Sequence, residues 1–216
     1  MSEDFMDQFL TENFPVVPVP QSGRVDMPGK FGQRFLLGKR SLFREVVTPW
    51  LYAALPIASI KGLESPYGDF KPEVRFTMEP PPADLWREFL KEARSALPNE
   101  CAALMAWNSQ IGEWRLAMRV ATHATQARVD YTEPVLQESE IAVIDVHSHG
   151  DHSAFFSSRD NRDDLGGIKI AAVFGLVDSS SAPELQLRLV CLDKFLELRL
   201  DQVGDRPPIK VIGDLK

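Results

Sequence analysis

The residues of this chain best suited to chemistry lie between 145 and 160, in DVHSHGDHSAFFSSRD. His147 and His149 flank Ser148 at the end of the apolar run IAVIDV (141–146). In an extended chain residues i and i+2 project to the same side, so the two imidazoles face one point. Ser157 follows ten residues after His147, and Asp160 opens the polar run DNRDD three residues later, where it reads as a position at or near a helix N-terminus. Two neutral nitrogens and one anionic oxygen suit zinc. Three protein ligands leave the fourth tetrahedral position to a water whose pKa the metal brings towards neutrality, as hydrolytic zinc sites require. At this chain's composition, His-x-His with Ser at +10 and Asp at +13 arises by chance in on the order of four in ten thousand sequences of this length. Of the four histidines, His147, His149 and His152 crowd into one short stretch, whereas a core histidine is usually solitary.

A hydrolytic zinc site also needs a base that is not itself a ligand. Glu100 is the best candidate: it stands where Pro98 and Asn99 break a helix and the strand CAALMAW (101–107) begins, an odd place for an ionisable group serving only packing. Asp160 is committed to the metal. Asp145, two residues before His147 on the same strand face, reads either as a hydrogen-bond acceptor for a ligand imidazole or as a buried structural carboxylate. Asp151 and His152 read as loop residues. The same text spells His-x-His-x-Asp-His (147–152), the signature of a two-metal hydrolase fold that completes its centres with downstream histidines, and this sequence has none after His152.

These groups must be positioned by the elements around them. Residues 1–80 are rich in proline and glycine with short apolar runs such as VTPWLYAALP, and read as a β-rich N-terminal extension. After Pro80-Pro81-Pro82, residues 83–96 place Leu85, Trp86, Phe89, Leu90 and Ala93 on one stripe, the pattern of an amphipathic helix that Pro98 stops. Strands are expected at 101–107, 113–121 and 125–131 as an antiparallel meander. A strand buried on both faces is expected at 141–146, and further strands at 168–177, 185–192 and 195–200, the last ending the ordered part. The expected class is α/β (α+β): a mixed sheet flanked by one or two helices. The domains would run 1–80 (extension), 81–203 (metal-bearing domain) and 204–216 (tail).

With 216 residues, 44% of them apolar, the chain can bury a core. Its net charge of −7 argues against a nucleic-acid partner, and the basic stretch Lys30, Arg34, Lys39, Arg40 and Arg44 reads as solvated surface. MSEDFMDQFLTENF has neither a basic leader nor a long apolar run, so no signal peptide or membrane span is expected and the location read is cytoplasmic. Cys101 and Cys191 sit in apolar, strand-like text and read as reduced core residues.

The arrangement His147-Ser148-His149, Ser157 and Asp160, with Glu100 opening an upstream strand, resembles the JAMM (MPN-plus, Mov34/JAB) metallopeptidases in their short prokaryotic form. The resemblance covers about residues 84–200. It implies a JAB/MPN-like, cytidine deaminase-like fold, Zn2+ on His147, His149 and Asp160, Glu100 as base and Ser157 as oxyanion donor. It also implies a zinc-dependent peptidase or isopeptidase acting at the tail of a ubiquitin-like protein or its conjugate. Gly150 replaces the proline usual after the second histidine, and Ala102-Ala103 replace a glycine-containing step; neither removes a catalytic group. The chain from Asp160 to Ile168 is shorter than the insertion of ubiquitin-selective relatives. DVHSHG, AFFSSRDNRDD and PNECAALMAWN, preceded by VTPWLYAALP, resemble more narrowly a component of the PRTRC gene clusters of plasmids and integrative elements, which implies partner proteins from the same gene system. The contrasting expectation is an MPN-type interaction scaffold without catalysis.

Overall fold

The computed structural model describes residues 3–59, 61–62, 64–125, 128–178, 182–201 and 203–215, with backbone only for Glu3 and residues 121–125 and 128–130. The chain divides after Met78 into two compact units, the second running from Glu79 to Gly213. The two larger sheets are mixed and helices accompany them, so the class is α+β.

The first unit holds α1 (Glu3–Asn13), β1 (Val16–Pro18), β2 (Gly32–Leu37), β3 (Ser41–Val47), β4 (Leu51–Ser59) and β5 (Glu73–Phe76). Its strands form one sheet in chain order, parallel between β1 and β2 and antiparallel elsewhere. Leu36, Phe43 and Val19 centre a small core, with the Phe70 ring edge-on to Phe43 at 5.1 Å. Helix α1 has no counterpart in the sequence reading, since Phe5, Met6, Phe9 and Leu10 stay exposed and its pattern marks no buried stripe. The basic stretch is largely ion-paired: Arg34 meets the buried Glu45, while Lys39 and Arg40 reach Glu64 at 3.1 and 2.5 Å.

The second unit holds α2 (Ala83–Ala96), β6 (Ala102–Asn108), β7 (Trp114–Met118), β8 (Val120–Thr125), β9 (Arg128–Thr132), β10 (Glu140–Ser148), α3 (Ser158–Asp164), β11 (Ile168–Gly175), β12 (Glu184–Cys191), β13 (Lys194–Leu200) and β14 (Ile209–Val211). Its larger sheet runs β14-β13-β12-β11-β10-β6-β7, and β8 with β9 forms a separate hairpin. Helix α2 occupies the span its apolar stripe predicts. It buries Trp86, Phe89 and Ala93, and the first two rings lie 6.1 and 5.6 Å from Phe174 of β11. Phe89 is fully buried, worth about 1.5–3 kcal/mol relative to exposure.

Strand β10 is the pivot of this sheet. It lies parallel to β11 and antiparallel to β6, with His147 opposite both Val173 and Ala102. The expectation of burial on both faces is corrected: Ile144, Val146 and Ser148 are buried while Asp145 and His147 between them are only partly so, and the buried neighbours Val143 and Ile144 fall where the register with β6 shifts between Ala142 and Ile144, so a bulge hides the alternation in the text. Two further expectations are corrected. The strand read over 113–121 breaks at Arg119, whose guanidinium is drawn to Asp145 and Glu133, so the meander stops and a separate hairpin begins. Leu200 does not end the ordered chain, because Ile209–Val211 pairs with β13 in a strand too short to register as a pattern. No helix among the described residues is long and apolar enough to cross a membrane.

Candidate metal centre

Strand β10 delivers both histidines to one place. Ser148, fully buried between them, turns to the opposite face, where its hydroxyl accepts the Cys101 N–H at 3.1 Å. The His149 N–H donates to the Phe174 carbonyl at 2.8 Å, carrying the parallel ladder past the end of the strand. The two Nε2 atoms come to 3.2 Å from each other, and His147 Nε2 lies 3.8 Å from Asp160 Oδ1. One candidate ligand atom from each of the three residues lies within 4.8 Å of the others. Tetrahedral zinc with bonds of about 2.0–2.1 Å needs ligand separations of roughly 3.3 Å, so the set fits with small side-chain adjustments. Among the described residues no other group of His, Cys, Asp or Glu is placed to hold a metal ion, and Asp151 and His152 are exposed outside it.

Asp160 arrives by helix capping. Ser157 is the N-cap of α3: its Oγ accepts the Asp160 N–H at 3.2 Å, and its own N–H donates to Asp160 Oδ2 at 2.6 Å. This reciprocal box pins one carboxylate oxygen and leaves the other facing His147.

The electrostatics favour ligation. Burial lowers the pKa of both imidazoles, more than Asp160 raises them, so both are neutral. Burial by itself would raise Asp160, but the Ser157 hydrogen bonds and the two histidines outweigh it and hold the group ionised. His149 Nδ1 faces the Ser153 carbonyl at 3.3 Å. A carbonyl only accepts, so the proton sits on Nδ1 and Nε2 presents its lone pair to the centre.

Glu100 lies on the chain just before β6. Ala102 pairs with His147, and the Ser148 N–H donates to the Cys101 carbonyl at 2.9 Å, so Glu100 directly precedes the residue that meets the end of β10. Its carboxyl is half-buried. Burial and the nearby Asp160 charge raise it to about 7.

Asp145 corrects the reading in which it orients a ligand imidazole. It is the structural carboxylate instead, held by Arg119 and by Lys169 at 2.7 Å. Burial pushes its pKa up, but those two cations win and hold it below the ordinary value. The orienting group that sequence reasoning missed is the Ser153 backbone carbonyl, which no residue type announces. Also missed was Gly175: a Cβ there would stand 2.1 Å from the Ala154 nitrogen and 2.4 Å from the Ser153 carbonyl carbon. Only glycine lets the loop after His149 lie this close on β11, where the Leu176 and Val177 N–H groups donate to the His152 and Gly150 carbonyls at 2.8 and 3.0 Å.

Comparison with known proteins bears on both units. Residues 4–77 match a domain of unknown function, DUF2016. No curated protein matches the chain. Among solved structures, the solution structure of protein DSY2949 from Desulfitobacterium hafniense aligns with a TM-score of 0.39 and 18% identity, over 54% of this chain and 86% of that one. The family of prokaryotic homologs of the JAB domain matches residues 82–189. That span opens with α2 and takes in β10, its neighbours β6 and β11, and all of α3, and on this match the chain belongs to the prokaryotic homologs of the JAB domain.

Proposed function

We propose that this protein is a zinc-dependent peptidase or isopeptidase, and that its substrate is the tail of a ubiquitin-like protein or a conjugate of one. The observation that carries the reading is the convergence of His147, His149 and Asp160, with ligand atoms within 4.8 Å and a tautomer and ionisation state suited to a metal. Zinc held by His147, His149 and Asp160 would supply Lewis acidity, activating a water and polarising the amide carbonyl.

The remaining work falls to the chain. Glu100, beside the end of β10, takes the proton of the attacking water and returns it to the leaving amine. The Ser157 hydroxyl donates to the oxygen that becomes negative as the carbonyl is attacked. Asp160 remains a ligand, because the capping box fixes its orientation. The substrate class and partners from one plasmid or integrative-element gene system are proposed from the resemblance of the motif text.

The purified chain is expected to hold about one zinc per chain, to lose most of it in His149→Ala, and to cleave ubiquitin-like fusion proteins in a metal-dependent manner. Two metals per chain by elemental analysis, or a fully metallated protein that cleaves no such fusion, overturns the reading; the second result favours a scaffold.

A further inference from the structure

Helix α3 spans only seven residues, too few to hold itself in water, yet it carries the third member of the metal cluster. Something outside the helix must set where Asp160 stands. The helix repeat places Asp164 one turn behind Asp160 on the same face. Asp164 is 5% exposed, and its carboxylate is gripped from two strands. Arg188 of β12 sets Nε and Nη2 on one oxygen at 3.2 and 2.5 Å, and Lys169 of β11 meets the other at 2.7 Å. Arg188 also donates to the Asn161 side chain, so a single guanidinium holds α3 at two positions of one face. That guanidinium is itself immobilised, sandwiched between the rings of Phe156 at 3.8 Å and Phe195 at 4.3 Å.

A buried ion pair is a poor device for stability alone, because desolvation cancels most of the attraction and apolar substitutes often serve as well. What the fork supplies is a fixed direction. We infer that Arg188, acting through Asp164, is a positioning residue that sets Asp160 against His147 and His149. The inference rests on the metal reading above.

Chelator competition with cobalt(II) on the full-length chain, well below each variant's melting temperature, tests it. Arg188→Lys keeps the charge and loses the fork, and is expected to bind cobalt about ten- to a hundredfold more weakly while staying folded by circular dichroism. Phe195→Ala, at a ring 38% exposed, removes one face of the sandwich without burying a charge, and should cost on the order of two- to fivefold in the same direction. Glu140→Gln, at the far end of β10, is the control: it lowers the melting temperature and leaves cobalt affinity unchanged. A folded Arg188→Lys with wild-type affinity overturns the inference. So does Glu140→Gln weakening cobalt as much as Arg188→Lys does. If Arg188→Lys fails to fold, an unchanged affinity in Phe195→Ala overturns it. A wild-type chain that binds no cobalt, or His149→Ala binding as well as wild type, removes the metal reading and this inference with it.

Discussion

Comparing alanine with glycine at Ser157 separates the capping that the structure shows from the oxyanion role proposed for the same hydroxyl. As N-cap of α3 its oxygen accepts the Asp160 N–H at 3.2 Å, a bond whose loss costs about 1 kcal/mol of stability. As oxyanion donor its proton is worth about 3–4 kcal/mol in the transition state, roughly 10²–10³-fold in turnover. Ser157→Ala loses both. Ser157→Gly loses the proton equally, but glycine caps with a penalty of only a few tenths of a kcal/mol. Turnover of a ubiquitin-like fusion, measured at saturating zinc beside thermal melting, distinguishes the roles. Both variants should fall together in turnover, while alanine melts lower than glycine. If turnover instead tracks melting, with Ser157→Gly near wild type, capping is the whole contribution of Ser157 and its place in the chemistry is refuted.

Glu100→Gln should keep the fold and one zinc per chain and slow cleavage by about 10²–10⁴-fold, since an amide of the same shape accepts no proton; near wild-type turnover in the metallated variant removes Glu100 as the base. Gly175→Ala should destabilise the chain by about 1–3 kcal/mol and weaken zinc binding, because the new Cβ displaces the loop whose Ser153 carbonyl orients His149; an unchanged melting temperature contradicts the close packing. Glu140, forked by Arg115 at 2.7 and 2.6 Å, is held down at about 2 against an ordinary 4.5. Its folded pKa is the lower one, so its contribution is complete above about pH 4.5 and is lost as pH falls towards 2. Melting of Glu140→Gln should therefore vary less than wild type across that window, and parallel pH profiles would dismiss the ion pair.

What was legible in the sequence was local. His147 and His149 share a side because strand geometry has a period of two, and the polar run opening at Asp160 marked a helix N-terminus, although the box that joins Asp160 to Ser157 went unread. Helix α2 announced its ends through Pro82 and Pro98. The position of Glu100 could be argued because a carboxylate opening an apolar strand wants a reason. What failed depended on register across strands. Asp145 finds Arg119 and Lys169 only once β10 lies beside β11 and Arg119 leaves β7, and nothing in the spacing of these residues encodes that. The Ser153 carbonyl and the Arg188 clamp were illegible for related reasons: one is backbone, and the other joins residues on different elements. The β14 strand has too few residues for periodicity to speak.

The capping box also makes the stretch from Ser157 to Asp160 a ruler that evolution cannot lengthen. One residue inserted there turns everything beyond it by about 100° around the helix and shifts it by about 1.5 Å, swinging the carboxylate out of reach of His147. The turn at Gly166-Gly167, between the last residue of α3 and the start of β11, lies outside that stretch and is tied to Leu192 by backbone hydrogen bonds at 2.9 and 2.7 Å, so extra residues there cost that tie but leave the count from Ser157 to Asp160 intact. Divergent copies of this domain should therefore vary in length after Asp164 and hold their count rigidly between Ser157 and Asp160. A designer who wishes to add a substrate-gripping segment has a natural place to put it.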